Sequence, residues 1–283
     1  KLTQAIEPVP SLLREVLSEV KATGVGDNKN VLAEVNVETV RHLEIQVVGN
    51  GEWCITMGGR DCSVQMNEQK LLEVSVTQEE LAEAIGHATN PAARRSLEND
   101  LRMLTEMEEE GARFGAAVGL DSVSTFECII DRDQHYFMEM NTRLQVEHPV
   151  SEMITGVDLV YEQIKIANGK PLSFSQEDLS INGHALEVRV YAENPKNDFL
   201  PDVGTLEVYN RPFGEGVRVD DGLEQGMDIP IFYDPMIAKI ITFGGDRSHA
   251  IQKMLSALEQ CQIEDVATNL ALLKAILKDP AFK

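Results

Sequence analysis

The run His135-Tyr136-Phe137-Met138-Glu139-Met140-Asn141-Thr142-Arg143-Leu144-Gln145-Val146-Glu147-His148-Pro149 gathers an unusual share of the side chains able to do chemistry. From Phe137 the pattern alternates. Phe137, Glu139, Asn141 and Arg143 are therefore expected on one face of a strand, and Met138 and Met140 on the other. Upstream, Thr125-Phe126-Glu127-Cys128-Ile129-Ile130 reads as a second strand, joined to the first through Asp131-Arg132-Asp133-Gln134 as a hairpin. An odd loop or a bulge sets Glu127 opposite Phe137, on the face of Glu139 and Asn141. An even, unbulged loop sets it on the far face. Two carboxylates and an amide oxygen without Cys or His form a hard-oxygen set, suited to Mg²⁺ or Mn²⁺ that bridges phosphates. The same three residues equally suit a solvated polar face.

The elements that must position this hairpin are legible on both sides of it. Ser11 to Val20 has helical spacing, and Lys21 to Asn30 reads as a loop. Its Gly24-Val25-Gly26 is too sparse, with no helix directly behind it, to cradle a phosphate. From His42 the alternation puts Leu43, Ile45 and Val47 on one face and His42, Glu44 and Gln46 on the other, with Asn50-Gly51 as a hairpin turn into Trp53, Ile55 and Met57. Thr77 to Glu80 is a capping box, and Asn90-Pro91 opens a longer helix with Leu97, Leu101, Leu104, Met107 and Phe114 as its apolar stripe. Asp158 to Ala167 is an amphipathic helix stopped by Asn168-Gly169. Short strands beyond Gly183 suggest an antiparallel unit, and two helices, from Asp246 and Thr268, close the chain. The fold class is α+β.

Composition narrows the chemistry. With 47 acidic against 25 basic residues the formal net charge is −22, which removes nucleic acid as a bulk partner, so any phosphate site must be local. Four scattered cysteines, Cys54, Cys62, Cys128 and Cys261, lack both metal-site spacing and disulfide density, pointing to a reducing, cytoplasmic compartment with the mitochondrial matrix left open. No apolar run reaches the roughly 18 to 20 residues of a membrane span, so no membrane partner is expected.

The stretch from Glu139 through Glu147-His148-Pro149 to Gly156 resembles the signature of biotin carboxylases, members of the ATP-grasp superfamily. Arg41-His42-Leu43-Glu44-Ile45-Gln46, Arg60-Asp61-Cys62-Ser63-Val64-Gln65, Gly183-His184-Ala185-Leu186-Glu187-Val188-Arg189 and Phe199-Leu200-Pro201 support the likeness. The tail, with Val217 to Gly222 and Tyr233 to Lys239, is similar to the biotin carboxylase part of propionyl-CoA and related acyl-CoA carboxylases. The resemblance runs over about residues 31 to 283. It implies an ATP-grasp core with a mixed or antiparallel sheet over 1–172, carrying a helical insertion near 77–119, and a biotin carboxylase C-terminal domain over 173–283.

By that resemblance the reaction is ATP- and bicarbonate-dependent carboxylation of biotin on a carrier protein, with ADP and phosphate released. Glu34, Val37, His42, Gln65, Glu127 and Glu139 are expected near nucleotide, and Glu127, Glu139 and Asn141 at two Mg²⁺ or Mn²⁺ ions. Lys70, Arg143, Gln145 and Val146 are expected at bicarbonate, Glu147 as the base, and Arg189 at the biotin oxygen. Implied partners are a biotin carboxyl carrier protein, a carboxyltransferase subunit, an N-terminal half that bears the glycine-rich lid, and a second copy in a homodimer or larger complex. Glu68 departs from the family, which has His there. The rival reading is a non-catalytic assembly or regulatory subunit of the same fold. A carboxylate–amine ligase of the ATP-grasp kind fits less well, because the Glu147-His148-Pro149 signature and Arg189 argue against it.

Overall fold

A computed structural model describes residues 9–22, 36–37, 40–67, 69–230 and 233–282. Contacts divide the chain into an N-terminal unit, Lys1–Thr39, and a body, Val40–Lys283. In the first, α1 spans Val9–Ala22, the helix expected there.

The body is organised on one eight-stranded antiparallel sheet. Its first part comprises β1 (Arg41–Gly49), β2 (Cys54–Met66), β3 (Gln69–Val76), α2 (Gln78–His87), α3 (Pro91–Ala117), β4 (Val123–Asp131), β5 (Gln134–Asn141), α4 (His148–Thr155) and α5 (Leu159–Ala167). Then come β6 (His184–Tyr191) and the short strands β7 (Glu193–Asn194), β8 (Leu200–Pro201), β9 (Gly204–Thr205) and β10 (Val208–Asn210). The chain ends through β11 (Val217–Asp221), β12 (Asp228–Ile229), β13 (Met236–Gly244), α6 (Arg247–Gln260), β14 (Gln262–Glu264) and α7 (Leu270–Lys278). The sheet order is β11-β13-β6-β3-β2-β1-β4-β5. The line expected between 172 and 173 falls in the connection from α5 to β6, yet the sheet crosses it, since Leu72, Glu73 and Val74 pair with Val188, Glu187 and Leu186.

Local signals explain the element ends. Asn50-Gly51 turns β1 into β2, with Gly51 at φ 91°, a left-handed conformation that glycine adopts without strain. Thr77 accepts from the Glu80 N–H, Asn90 from Ala92, Asp158 from Tyr161 and Asp246 from His249, so four helices start on side-chain caps. Gly183 (φ 64°) leads into β6 where an added Cβ would lie 2.5 Å from the Gly244 carbonyl oxygen, so only glycine lets these strands close up.

α3 covers one side of the sheet. Met103, Leu104 and Met107 are buried against Leu43, Ile45, Val47 and Phe126, so the segment expected as an insertion supplies a layer of the core. A second core joins Leu72, Leu186, Val188 and Ile240 to Met254 and Leu258 of α6 and Leu273 of α7. The other side of the sheet carries the polar set of β1 and β4 and is partly roofed by α4.

Candidate active site

The β4–β5 register differs from the expectation. Glu127 stands opposite Glu139, not Phe137, and Cys128 takes Phe137 as its partner, leaving Met138 as the extra residue of a bulge. The connecting loop is even, Arg132-Asp133, so it is the bulge that brings Glu127 and Glu139 to one face. It also reverses Phe137. That ring packs 4.9 Å from Phe126 and 5.5 Å from Phe114 on the α3 side, while Met138 joins Glu139 and Asn141 along the cleft. Phe137 stays half exposed, but its ring stacks against two others on that face, and strict alternation fails at a bulge.

A cleft of about 820 Å³ is lined by His42, Gln65, Lys70, Glu127, Glu139, Asn141, Arg143, Gln145, Val146, Glu147 and Arg189, so it unites eleven of the expected site residues. Glu34 and the departing Glu68 lie outside the described residues. Val37 belongs to the N-terminal unit and not to the body that carries the cleft.

At one end, Asn141 Nδ2 donates to Glu127 Oε1 (2.6 Å) and Glu139 Oε1 (3.2 Å), and Gln145 Nε2 also donates to Glu127. Gln65 Nε2 donates to His42 Nδ1 (2.9 Å), which fixes the tautomer so that His42 Nε2–H donates to Glu127 Oε2 at 2.7 Å. Burial raises the Glu127 carboxyl, but the His42 and Gln145 hydrogen bonds and the Lys70 charge outweigh it and hold it below the usual range. Two opposed carboxylates with an amide between them fit a hard divalent cation, because turning the Asn141 amide presents its oxygen beside theirs.

At the other end stands Glu147, 2% exposed. Its Oε1 accepts from Lys70 Nζ at 2.5 Å and its Oε2 from Arg189 Nη2 at 2.9 Å. Burial pushes this carboxyl up, yet Lys70, Arg60 and Arg189 together hold it well below the ordinary carboxylate range, so it is fully ionised at neutral pH. Lys70 also donates to Glu44 Oε2 (2.8 Å) and lies 3.9 Å from Glu127, linking the two ends of the cleft. Burial disfavours the Lys70 charge, but the acidic neighbours outweigh it and raise its pKa.

Arg143 is exposed and donates only to the Leu144 carbonyl (3.3 Å). Among the described residues no carboxylate lies within ion-pair distance of it, so its guanidinium is free for an anion. The Val146 carbonyl accepts from Lys239, and the buried Gln145 Oε1 has no hydrogen-bond partner.

Sequence reasoning missed the support beneath. Arg60, wholly buried, binds Glu44 (2.6 Å), Gln46 (2.9 Å) and Ser151 (2.7 Å), tying β2 to β1 and α4. Glu73 and Glu187 are equally buried. A usable signal was present, because a single charged residue inside each of the apolar runs Leu71-Leu72-Glu73-Val74 and Ala185-Leu186-Glu187-Val188 has to be buried.

Comparison with known proteins agrees with this geometry. Residues 4–175 match the family model described as carbamoyl-phosphate synthase L chain, ATP binding domain, and residues 187–283 that of the biotin carboxylase C-terminal domain. The chain is 42% identical over 272 residues to the human mitochondrial propionyl-CoA carboxylase alpha chain, covering 94% of this chain and 34% of that one. It is 41% identical to biotin carboxylase 1 of Bacillus subtilis, covering 95% and 56%. The biotin carboxylase domain of the Hydrogenobacter thermophilus 2-oxoglutarate carboxylase, a dimer solved with MgADP and bicarbonate, superposes with TM-score 0.83 at 38% identity over 98% of this chain and 57% of that one. A Campylobacter jejuni biotin carboxylase complex with a β-γ-ATP ligand gives 0.86 at 33%, over 100% and 58%. The chain thus spans a third to just over half of the length of these relatives. With two family models in sequence register and the cleft built from the residues that the signature contributes, the chain belongs to the biotin carboxylase family of ATP-grasp proteins.

Proposed function

We propose that the chain supplies the metal, bicarbonate and biotin side of a biotin carboxylase, the component of an acyl-CoA carboxylase that carboxylates biotin on a carrier protein using ATP and bicarbonate. The observation that carries this reading is Glu147 held between Lys70 and Arg189 in the same cleft as the opposed Glu127 and Glu139.

Glu127, Glu139 and Asn141 would hold divalent Mg²⁺ or Mn²⁺, which supplies neutralisation of phosphoryl charge. Bicarbonate, a small planar oxyanion, suits the free Arg143 guanidinium and the adjoining Gln145. Glu147, ionised at neutral pH, accepts the bicarbonate proton as it attacks the γ-phosphate of ATP. Its low pKa makes it a weak base, so its contribution comes from position and from full ionisation. Arg189 then faces the negative charge that develops on the biotin ureido oxygen. Lys70, bound to Glu147 and 3.9 Å from Glu127, links the two ends of the cleft.

The acyl-CoA is chosen by a carboxyltransferase partner, and the nucleotide lid belongs to an N-terminal half supplied with this chain. A paired copy is consistent with the dimeric 2-oxoglutarate carboxylase domain. The test is biotin- and bicarbonate-dependent ATP cleavage by this chain with an N-terminal half added. Turnover that appears only with both parts supports the reading. Its absence, with the carrier and carboxyltransferase still bound, favours the non-catalytic subunit.

A further inference from the structure

Glu73 of β3 and Glu187 of β6 are direct cross-strand partners, and both are completely buried. Such partners have Cβ atoms about 4.5–5.5 Å apart, so their carboxyl groups occupy one compartment, beneath α4, which packs on both strands. None of their four oxygens has a hydrogen-bond partner among the described residues. Arg189 Nη2 lies 2.6 Å from Glu73 Oε1, an ion contact outside hydrogen-bond geometry, and the same nitrogen already serves Glu147. Among the described residues Arg189, shared with Glu147, is the one cation in ion contact with either carboxyl, and two full negative charges are strongly disfavoured there.

We propose that Glu73 and Glu187 hold a single proton between them at neutral pH, so that the pair presents one negative charge to Arg189. The protonated carboxyl becomes the donor that its neighbour lacks, which satisfies orphan oxygens on both residues at once. The charged groups facing the pair are Arg189 and Lys239 from β6 and β13, Lys70 from β3, Glu44 from β1, and Glu147 at the start of α4. Burial raises both carboxyls, Glu73 to about 7 and Glu187 well above its ordinary value, and their mutual repulsion adds to the effect on Glu187.

The consequence concerns Arg189 and rests on the role proposed for it above. With one charge behind it, the guanidinium is shared between Glu73 and Glu147 and can turn to the cleft. A second charge would draw it down into the sheet. Glu73 and Glu187 are therefore positioning residues for Arg189.

Infrared spectra of the chain carrying isotope-labelled glutamate, recorded against pH, test this. A protonated-carboxyl band at neutral pH that fades in alkali, and that both Glu73→Gln and Glu187→Gln remove, is expected, because either substitution lets the remaining carboxyl keep the single charge. Absence of the band in the unaltered chain overturns the proposal even if neither variant folds. Persistence of the band in Glu73→Gln overturns the sharing. In the assembled enzyme, kcat/KM for biotin should fall on the alkaline side as the band fades. The expected infrared result in a chain that never carboxylates biotin overturns the functional reading and leaves the shared proton standing.

Discussion

Arg189 separates two regions in which the same fold drives buried glutamates in opposite directions. On its cleft side Glu147 meets Lys70 Nζ and Arg189 Nη2, with Arg60 behind, and is held well below the ordinary carboxylate range. On its sheet side Glu73 and Glu187 meet each other, without a hydrogen-bond donor, and are raised. All three are 2% exposed or less. Burial alone therefore does not set the protonation of an acid here. The local count of donors and cations does.

The contrast breaks most severely at Arg60. Arg60→Ala leaves the wholly buried Glu44 with Lys70 as its one remaining cation and takes the donor from Gln46 Oε1 and Ser151, and should destabilise the body by about 3–5 kcal/mol, measured by urea unfolding. Arg60→Ala stability close to that of the unaltered chain would mean that water or a neighbour replaces the guanidinium.

Next comes Glu147. In the complete enzyme Glu147→Gln should lower carboxybiotin formation by about 10²-fold or more, the scale for losing a positioned base, while ATP affinity by calorimetry is spared. Arg189→Ala should impair biotin carboxylation more than bicarbonate-dependent ATP cleavage, since its partner is the ureido oxygen. Parallel loss of ATP affinity in both variants would contradict the assigned roles.

The pH dependence of stability sharpens the comparison without any turnover. Glu147, with a depressed folded pKa, stabilises above its unfolded value and loses that contribution as pH falls towards strong acid. Glu73 and Glu187 have raised folded pKa values. Their relative stabilisation is present in acid and is lost as pH rises from the unfolded carboxylate value through about 7 for Glu73 and beyond for Glu187. Unfolding midpoints should therefore decline between mildly acidic and alkaline buffer, and the slope should flatten in Glu187→Gln. An unchanged slope in that variant would place the titration elsewhere.

The smallest effect on the fold is expected at the cleft rim. Glu139 is exposed, and Glu139→Gln should change stability by less than about 0.5 kcal/mol while weakening Mg²⁺-dependent ATP binding. A large loss of stability would make Glu139 part of the scaffold.

Much of this arrangement was legible in the chain. Caps at Thr77, Asn90, Asp158 and Asp246 and the Asn50-Gly51 turn are local chemistry, and local chemistry reads directly from sequence. Six of the eleven cleft residues, Glu139, Asn141, Arg143, Gln145, Val146 and Glu147, were legible because one unbroken signature carries them. Phe137 was not, because the bulge at Met138 breaks the alternation and the ring meets Phe114 of α3, which lies outside the hairpin. Nor was the Glu73–Glu187 pairing, which depends on strands distant in sequence meeting in one sheet. Still, the tripeptide Leu-Glu-Val occurs in both and pairs with itself antiparallel.

That junction between β3 and β6 also governs how the molecule can be made. Leu72 emerges more than a hundred residues before Val188, its partner, so during synthesis β3 waits with an apolar, unpaired edge while β4, β5, α4 and α5 are still being added. Long-range pairing of this kind forms slowly, and an open edge recruits other chains in the meantime. Severing the polypeptide between α5 and β6 would bare the same edge on both products, so soluble production should favour the uncut chain and slow translation with chaperones in attendance.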